Sequence, residues 1–216
     1  MYKAVVFDLD GTLVDTIVDL ANAVNEGLRK VGLPVHSVEK YKKFVGNGKE
    51  MLVKRAMGGS YDENLAQAVG EAFGKYYEAH CNDNVSAYDG CAEMLRNLSD
   101  LGVKTGVLSN KPDEFVAQIL SNVYPNHSFT AAWGNRPEYP VKPDPSALLA
   151  LLSEIGTEPC DCLYIGDSDV DVYTAQNAGV DMIGVEWGFR GREELLNAGA
   201  KRVVKTADEI LRCLNE

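Results

Sequence analysis

Short apolar runs that alternate with single amphipathic segments constrain the fold of this chain more than any other feature. The runs are bounded by turn residues and are rich in Val, Ile, Leu and Ala, as buried strands are. A strand, a helix and a second strand form a right-handed crossover, which makes the strands parallel and covers both faces of the sheet with helices. We therefore predict an α/β fold, a Rossmann-like doubly wound parallel sheet. The predicted strands span residues 4–7, 103–108, 129–133, 162–166, 181–185 and 202–205.

One interval departs from this alternation, because about ninety residues separate the first two predicted strands. Its apolar positions have the helical period, and helices are predicted over residues 16–31, 38–44, 49–57 and 63–80. Four helices are too many for one crossover. We predict an inserted all-α helical cap domain over residues 16–81, with residues 1–15 and 82–216 forming the core domain. Such an insert lies over the carboxyl ends of the strands, where open α/β sheets bind ligands.

The net charge limits the partners that the protein can have. The 216-residue chain has a formal net charge of -11 and no concentrated basic patch. Nucleic acid and anionic membrane surfaces would repel such a chain, so neither is an expected partner. No run approaches the ~18 consecutive apolar residues of a membrane span, and the amino terminus has no charged leader, so a cytoplasmic protein is expected. A cation is compatible with this charge.

Polar and charged residues follow four of the predicted strands. Taken alone, an Asp or Ser at such a position more commonly caps the next helix. Recurrence after successive strands is different, because the carboxyl ends of parallel strands meet at one edge of the sheet. The pattern predicts one site that contains several acids, hydroxyls and two lysines. These residues are Asp8, Asp10 and Thr12, then Ser109, Asn110 and Lys111, then Lys142, and finally Asp167 and Asp171.

Four stretches resemble, in this order, the four motifs of the haloacid dehalogenase superfamily of phosphohydrolases. They read DLDGTLVD from Asp8, LSN from Leu108, KPDP from Lys142 and GDSDVD from Gly166. The resemblance covers essentially the whole chain, including the helical insert behind the first motif. Two further stretches are similar to the phosphoglycolate phosphatase branch of the superfamily. They are FVGNGKEMLVKRA, residues 44–56, and GVEWGFRGREELLNAGA, residues 184–200.

The resemblance implies a phosphatase that works through an aspartyl phosphate, with Asp8 as the nucleophile. An anion that attacks a phosphate is repelled, by about 4 kcal/mol for unit charges ~4 Å apart at an effective dielectric near 20. Mg²⁺ is the expected cofactor, because it binds carboxylates and phosphate oxygens together. The implied ligands are the carboxylates of Asp8 and Asp167 and the backbone carbonyl of Asp10, while Asp171 would hold a metal-bound water or Lys142.

The resemblance also implies groups that hold the phosphoryl oxygens and protonate the leaving group. Lys142, Ser109 and the backbone N–H of Asn110 would contact the phosphoryl oxygens. Asp8 and Asp10 point to the same side of an extended segment, so Asp10 can face the leaving oxygen. Asp10 would then act as general acid and afterwards activate the hydrolytic water, which requires it to be protonated near pH 7.

The helical insert is expected to close over the site and to recognise the leaving group. The loop of Gly46, Asn47 and Gly48 can approach a small substrate closely, or it can be a simple connector between helices. Thr12 and Lys111 complete the predicted substrate-binding set. Phosphoglycolate, the favoured substrate, would need a cation in the cap for its carboxylate. The residue types leave four candidates open: Lys43, Lys49, Lys54 and Arg55.

Other functions fit the same layout. Inorganic pyrophosphate or a sugar phosphate is an alternative substrate, and a phosphomutase is a related alternative activity. Outside hydrolysis, a signalling module that carries an aspartyl phosphate uses similar groups, although an acid beside the nucleophile favours rapid turnover over signalling. A catalytically inactive binding protein is the third alternative. The expected assembly is a monomer or a homodimer, and the expected partner is a small phosphorylated metabolite.

Overall fold

The computed structural model describes residues 2–214. The strands are β1 (Ala4–Phe7), β2 (Val14–Asp15), β3 (Ser86–Ala87), β4 (Lys104–Pro112), β5 (Ala131–Asn135), β6 (Cys162–Gly166), β7 (Asp181–Val185) and β8 (Val203–Val204). The helices are α1 (Ile17–Lys30), α2 (Val38–Tyr41), α3 (Gly48–Met57), α4 (Glu63–His80), α5 (Cys91–Asp100), α6 (Asp113–Val123), α7 (Ser146–Ile155), α8 (Asp169–Ala178), α9 (Gly191–Ala198) and α10 (Ala207–Cys213). Single 3-10 turns span Gly58–Ser60 and Pro159–Asp161. None of these helices is long and apolar enough to cross a membrane.

The central sheet has six strands in the order β5-β4-β1-β6-β7-β8. Every neighbouring pair is parallel, and β1 lies between β4 and β6. Phe7 pairs with Val107 on one side and with Ile165 on the other, so the residues that follow these three positions lie at the same edge of the sheet. The predicted parallel α/β sheet is confirmed. Its order reverses beside β1, which creates the crevice at the carboxyl edge where such sheets bind ligands.

Alternating side chains of β1 contribute to two separate cores. Val5 and Phe7 lie in the cluster formed with α5, α6 and α10, whereas Val6 lies in the cluster formed with α7 and α8. Successive side chains of a strand point to opposite faces, so a strand covered on both sides must be apolar at every position. All four residues of β1 are fully buried. This explains why β1 is an unbroken apolar run in the sequence.

Helices α1 to α4 pack around a third hydrophobic cluster. Leu20 and Val24 of α1 meet Val69 and Phe73 of α4 in this cluster, and Phe115 of α6 is its contribution from the sheet-flanking helices. A helical unit with its own core is consistent with the predicted insert. Its boundaries at residues 16 and 81 stay a prediction.

Two short strands were not predicted from the sequence. β2 and β3 pair antiparallel, with Val14 opposite Ala87 and Asp15 opposite Ser86. Strands of two residues are too short to show the alternation by which a strand is recognised. Their pairing joins the chain where it leaves the sheet to the chain where it returns.

Several element boundaries differ from the sequence prediction by one or two residues, as at β5, which spans Ala131–Asn135 instead of residues 129–133. Two ends differ by more. The second helix ends at Tyr41 rather than at residue 44, because the chain tightens: Lys43 N donates to the Lys40 carbonyl and Phe44 N to the Tyr41 carbonyl. β4 continues to Pro112, beyond the predicted end at residue 108. Its register with β5 shifts between Leu108 and Pro112, and such irregularities re-aim side chains near functional sites.

Candidate active site

A cavity of about 60 Å³ lies between the carboxyl edge of the sheet and the helical unit. The end of β1 contributes Asp8 and Asp10, and the end of β6 contributes Asp167. The residues after Leu108 in β4, namely Ser109, Asn110 and Lys111, line it with Lys142, and the helical unit contributes Gly46, Gly48, Lys49, Leu52, Phe73 and Tyr77 among others. The predicted convergence of strand ends is therefore observed.

Lys142 is the central cation of the sheet edge. Its ammonium group lies 2.9 Å from Asp8 Oδ1 and 2.7 Å from Asp171 Oδ1, and it donates to the Tyr164 hydroxyl at 3.0 Å. Burial by itself would lower the pKa of Lys142, but the charges of Asp171 and Asp8 outweigh it and raise the pKa well above its usual value. Lys142 is therefore a permanent positive charge beside Asp8.

Asp171 is completely buried and its carboxylate is fully engaged. Besides Lys142, it accepts hydrogen bonds from the Tyr164 hydroxyl at 3.1 Å and from the Ser168 backbone and hydroxyl at 3.1 and 2.6 Å. Of the two alternatives predicted for Asp171, the structure shows the contact with Lys142. The side chain thus holds Lys142 in place, and Ser168 holds Asp171 through a helix capping box.

Asp167 is buried beneath the loop that follows β1 and the loop that follows β7. Its Oδ2 accepts from the Phe189 backbone at 2.7 Å, and its Oδ1 lies 3.4 Å from the Thr12 hydroxyl. A Cβ at Gly11 would lie 2.5 Å from Asp167 Oδ2, and one at Gly188 would lie 2.3 Å from Asp167 Cβ. Both positions therefore exclude larger residues, and Gly11 in addition has a φ of 91°.

Three buried acids at this edge form a group that fits a divalent cation. Carboxylate oxygens of Asp8, Asp167 and Asp171 all lie within 4.8 Å of one another. Burial, the Asp171 charge and the Asp10 charge raise the pKa of Asp8 to about 7, against the opposing effect of Lys142. Burial and the charges of Asp171 and Asp8 likewise raise the pKa of Asp167 well above its usual value. Carboxylates this close together repel one another when they are ionised. A hard divalent cation bound to their oxygens would remove that repulsion.

Asp10 lies outside this acid group and has different partners. Its Oδ1 accepts from the Thr16 hydroxyl at 2.6 Å and lies 3.2 Å from the Lys111 ammonium group. Lys111 also donates to the Tyr77 hydroxyl of α4 at 2.6 Å. Burial by itself would lower the pKa of Lys111, but the Asp10 charge and the Tyr77 hydroxyl outweigh burial and raise the pKa above its usual value. Lys111, predicted to bind substrate, lines the cavity and is held there by Asp10 and Tyr77, and its contact with substrate stays a prediction.

Ser109 and Asn110 both lie on the cavity wall and are buried. The Ser109 hydroxyl accepts from the Lys111 backbone at 3.2 Å. The Asn110 side chain donates to the carbonyls of Gly46 at 3.0 Å and Lys142 at 3.1 Å, and accepts from the Lys142 backbone at 2.8 Å. The Asn110 side chain thus joins β4, the Lys142 loop and the helical unit, a role that the sequence did not suggest.

Two predicted substrate-binding residues do not line the cavity. Thr12 is buried against Asp167, and the Asn47 side chain accepts from Arg55 at 2.7 Å. Gly46 and Gly48, the neighbours of Asn47, do line the cavity. A short polar side chain in a loop is a frequent partner for nearby groups of its own segment, which explains the difference for Asn47.

Arg190 is the main residue of the site that the sequence prediction missed. Its guanidinium group donates to the carbonyl of Lys42 and, at 2.7 Å, to the carbonyl of Val45, while its Nε lies 3.1 Å from Glu194. Arg190 lies in the stretch GFRGREE, which resembles the phosphoglycolate phosphatase branch, but the resemblance assigns no contact to this arginine. Tyr77 and Tyr164 were missed because an aromatic residue in an apolar segment looks like an ordinary core residue.

Arg190 ties the loop before α3 to the sheet domain, and this contact can be tested. Arg190→Lys replaces a planar donor that reaches two carbonyls with a single ammonium group. We expect Arg190→Lys to raise KM about threefold to tenfold and to change kcat less, because the loop before α3 no longer closes the cavity as fully. Hydrogen exchange of the residue 42–45 amides should accelerate. Arg192→Lys, an exposed neighbour bonded to Glu186 and the Val203 carbonyl, is the matched control and should change neither.

The reversed strand order, the buried acids at the sheet edge and the helical roof are typical of an α/β enzyme whose site lies at the carboxyl ends of its strands. The model of the haloacid dehalogenase-like hydrolase family matches residues 5–185, and the chain belongs to that family. The predicted family and enzyme class, a phosphomonoesterase, are thereby confirmed.

Known proteins similar to this chain include phosphoglycolate phosphatases. Phosphoglycolate phosphatase 1 of Pseudomonas aeruginosa is 33% identical over 99% of this chain and 80% of its own length. The phosphoglycolate phosphatase of Pseudomonas putida is 37% identical over 87% of this chain and 70% of its own length. A crystallised candidate phosphoglycolate phosphatase from Lactobacillus delbrueckii subsp. bulgaricus superposes with a TM-score of 0.92 at 34% identity, over 99% of this chain and 98% of that chain.

Proposed function

We propose that the protein is a Mg²⁺-dependent phosphatase that hydrolyses small phosphate monoesters through an aspartyl phosphate on Asp8, with 2-phosphoglycolate as its substrate. One observation carries the proposal. The Asp8 carboxylate faces the cavity 2.9 Å from the Lys142 ammonium group and beside the carboxylates of Asp167 and Asp171. This arrangement supports the roles of a nucleophile, a fixed positive charge and a cation site around one point.

Asp8 attacks phosphorus in its ionised form, and its neighbours decide how much of that form is present. In the absence of a cation, burial and the nearby acids hold the pKa of Asp8 at about 7. Lys142 acts against them and also offers hydrogen bonds to a phosphoryl oxygen. Asp8, Asp167 and the backbone carbonyl of Asp10 would hold Mg²⁺, which would supply positive charge to the phosphoryl oxygens. Ser109 and the Asn110 backbone donate to the remaining oxygens in this proposal.

Asp10 protonates the leaving oxygen and then removes a proton from the water that hydrolyses the phosphoaspartate. The Thr16 hydroxyl and the Lys111 ammonium group orient its carboxyl group, at 2.6 and 3.2 Å. Lys111 is positioned in turn by Tyr77, which belongs to the helical unit. The orientation of Asp10 therefore depends on the helical unit being closed over the sheet.

A small substrate is supported by the cavity itself. Its volume is about 60 Å³, and its roof is formed by apolar side chains, including Leu20, Val45, Leu52 and Phe73. An apolar roof excludes bulk water from the phosphoaspartate and strengthens the interactions of the charges inside. The two Pseudomonas relatives that carry the name phosphoglycolate phosphatase support the particular substrate.

A panel of phosphate esters tests the proposal. Phosphate release should be fastest with 2-phosphoglycolate, slower with sugar phosphates and pyrophosphate, and dependent on Mg²⁺ throughout. A clear preference for a substrate that lacks a carboxylate would overturn the proposed substrate while leaving the phosphatase chemistry in place. Phosphate transfer to a second sugar, with no free phosphate released, would contradict hydrolysis.

The acid group predicts how pH changes the stabilising effect of the cation. The pKa of Asp8 is raised in the folded state, so between about pH 4 and pH 7 the metal-free folded protein binds more protons than the unfolded chain. Stability of the metal-free protein attributable to Asp8 is therefore lost as the pH rises through this window. Mg²⁺ should raise the melting temperature more near pH 8 than near pH 5, where protons compete for the same oxygens.

Thermal melts with Mg²⁺ and with a chelator, at both pH values, check this expectation. Asp8→Asn is the matched variant, because it removes one ligand and one titrating group together and should weaken the pH-dependent difference. An equal Mg²⁺ effect at the two pH values in the unaltered protein would count against a cation site at these acids.

A further inference from the structure

Four basic side chains line the cavity, and three of them already have an acidic partner. Lys142 contacts Asp8 and Asp171, Lys111 contacts Asp10, and Arg190 contacts Glu194. The fourth, Lys49, is different. Across residues 2–214, its described interaction is with the Phe73 ring, whose centroid lies 5.9 Å from Nζ, and no carboxylate is paired with it.

Lys49 is held in the roof of the cavity rather than extended into solvent. It is half-buried at the start of α3, and its side chain crosses α4 at Gly70 and Gly74. An added Cβ at Gly70 would have Lys49 Cε as its nearest neighbour at 3.5 Å, and one at Gly74 would meet Nζ at 3.9 Å. Two glycines weaken a helix by about 1 kcal/mol each relative to alanine, yet here they let a lysine lie close to the α4 backbone.

The other cations considered for the leaving group are placed elsewhere. Lys43 and Lys54 are exposed and do not line the cavity, and Lys54 lies over the Tyr61 ring. Arg55 is half-buried, but its guanidinium group donates to the Phe44 carbonyl at 2.8 Å and to Asn47. Of the four candidates, Lys49 alone faces the cavity.

We propose that Lys49 binds the carboxylate of the leaving group, so that this site selects phosphate monoesters whose leaving group carries an acid. The inference rests on the proposed phosphatase function. Asp8 and Lys142 hold the phosphoryl end at the sheet, while Lys49 lies across the cavity in the roof. A half-buried ammonium group without a counter-ion is costly, and a carboxylate of the substrate supplies the missing partner. The apolar side chains around it strengthen that ion pair.

Two substrates that differ in one group test the inference. 2-Phosphoglycolate and ethyl phosphate both have a two-carbon leaving group, and ethyl phosphate has a methyl group where 2-phosphoglycolate has its carboxylate. Lys49→Gln should lower kcat/KM for 2-phosphoglycolate by at least about tenfold, because a charge-assisted contact is lost, and should change ethyl phosphate by no more than about twofold. Lys49→Arg keeps the charge and should retain most of the preference for 2-phosphoglycolate.

Lys54→Gln is the matched control, since it removes the same charge from the exposed side of the same helix and should preserve the preference. Thermal melts show whether each variant is folded. If Lys49→Gln does not fold, Lys49→Arg still tests the inference, because it keeps the charge and should keep the preference for 2-phosphoglycolate. An equal loss with both substrates, or an unchanged preference in Lys49→Gln, would overturn the role of Lys49 and leave the proposed phosphatase function in place. An unaltered protein that does not prefer 2-phosphoglycolate over ethyl phosphate would overturn the proposed substrate as well.

Discussion

Asp8→Asn is expected to lower kcat for phosphate monoesters by about 10⁴-fold or more, because an amide cannot attack phosphorus and the covalent route is lost. Asparagine has nearly the same size and can still accept the hydrogen bond that Lys142 donates at 2.9 Å. The fold should therefore be retained, and the loss should appear in the chemical step. Phosphate release assays, with melting curves for both proteins, measure the effect.

Asp15→Asn is a control for the loss at Asp8. Asp15 lies in the same segment outside the cavity lining, and its Oδ1 accepts from the Ile17 backbone at 3.1 Å, a bond that asparagine also makes. It should leave kcat within about twofold of the unaltered protein. Mass spectrometry of protein quenched during turnover should locate the phosphate on the peptide that contains Asp8. Phosphate on another residue, or retention of more than a tenth of kcat in Asp8→Asn, would refute the assignment of the nucleophile.

Asp10→Asn is expected to lower kcat by about 10²-fold to 10⁴-fold, the usual contribution of a positioned general acid and base. The loss should depend on the leaving group. 2-Phosphoglycolate releases an alkoxide that needs a proton, whereas p-nitrophenyl phosphate releases a stable anion that does not. Formation of the phosphoaspartate should therefore slow much less with p-nitrophenyl phosphate.

The second half of the reaction provides an independent measurement. Hydrolysis of the phosphoaspartate needs Asp10 as a base for either substrate, so Asp10→Asn should accumulate phosphorylated Asp8 with p-nitrophenyl phosphate. Rapid-quench measurement of the nitrophenolate burst and of the bound phosphate tests this directly. Equal losses with the two substrates, without accumulation, would mean that Asp10 does not transfer protons.

Predictions made from local pattern succeeded where one physical requirement dominates. β1 and β6 are buried on both faces, so each position must be apolar and each strand is visible as a run. The placement of Asp8 and Asp167 followed, because the residue after a parallel strand lies at the carboxyl edge whatever the details of packing. Short or tightened elements were missed, such as β2 and the end of α2 at Tyr41.

Predictions of side-chain contacts succeeded less often. Lys111, which is expected to meet substrate, lines the cavity, but its 2.6 Å bond to Tyr77 was not predicted. Thr12 and Asn47 were assigned to substrate and instead bond Asp167 and Arg55. The contacts of Lys111 and Thr12 join residues that are distant along the chain, and the contact of Asn47 joins a loop to the helix that follows it. Residue type and spacing do not contain that information.

The sequence by itself determined the chemistry that the protein carries and the edge of the sheet where it lies. Acids, hydroxyls and lysines follow apolar runs, and parallel strands bring their carboxyl ends to one edge whatever the details of side-chain packing. The tertiary structure alone decided which charges are neutralised within the protein and which remain for a ligand. Asp171 and Lys142 pair at 2.7 Å, Lys111 pairs with Asp10, and Lys49 keeps its charge facing the cavity. Pairing depends on distances of a few ångströms between separate elements, and only the packing of the helical unit against the sheet sets those distances.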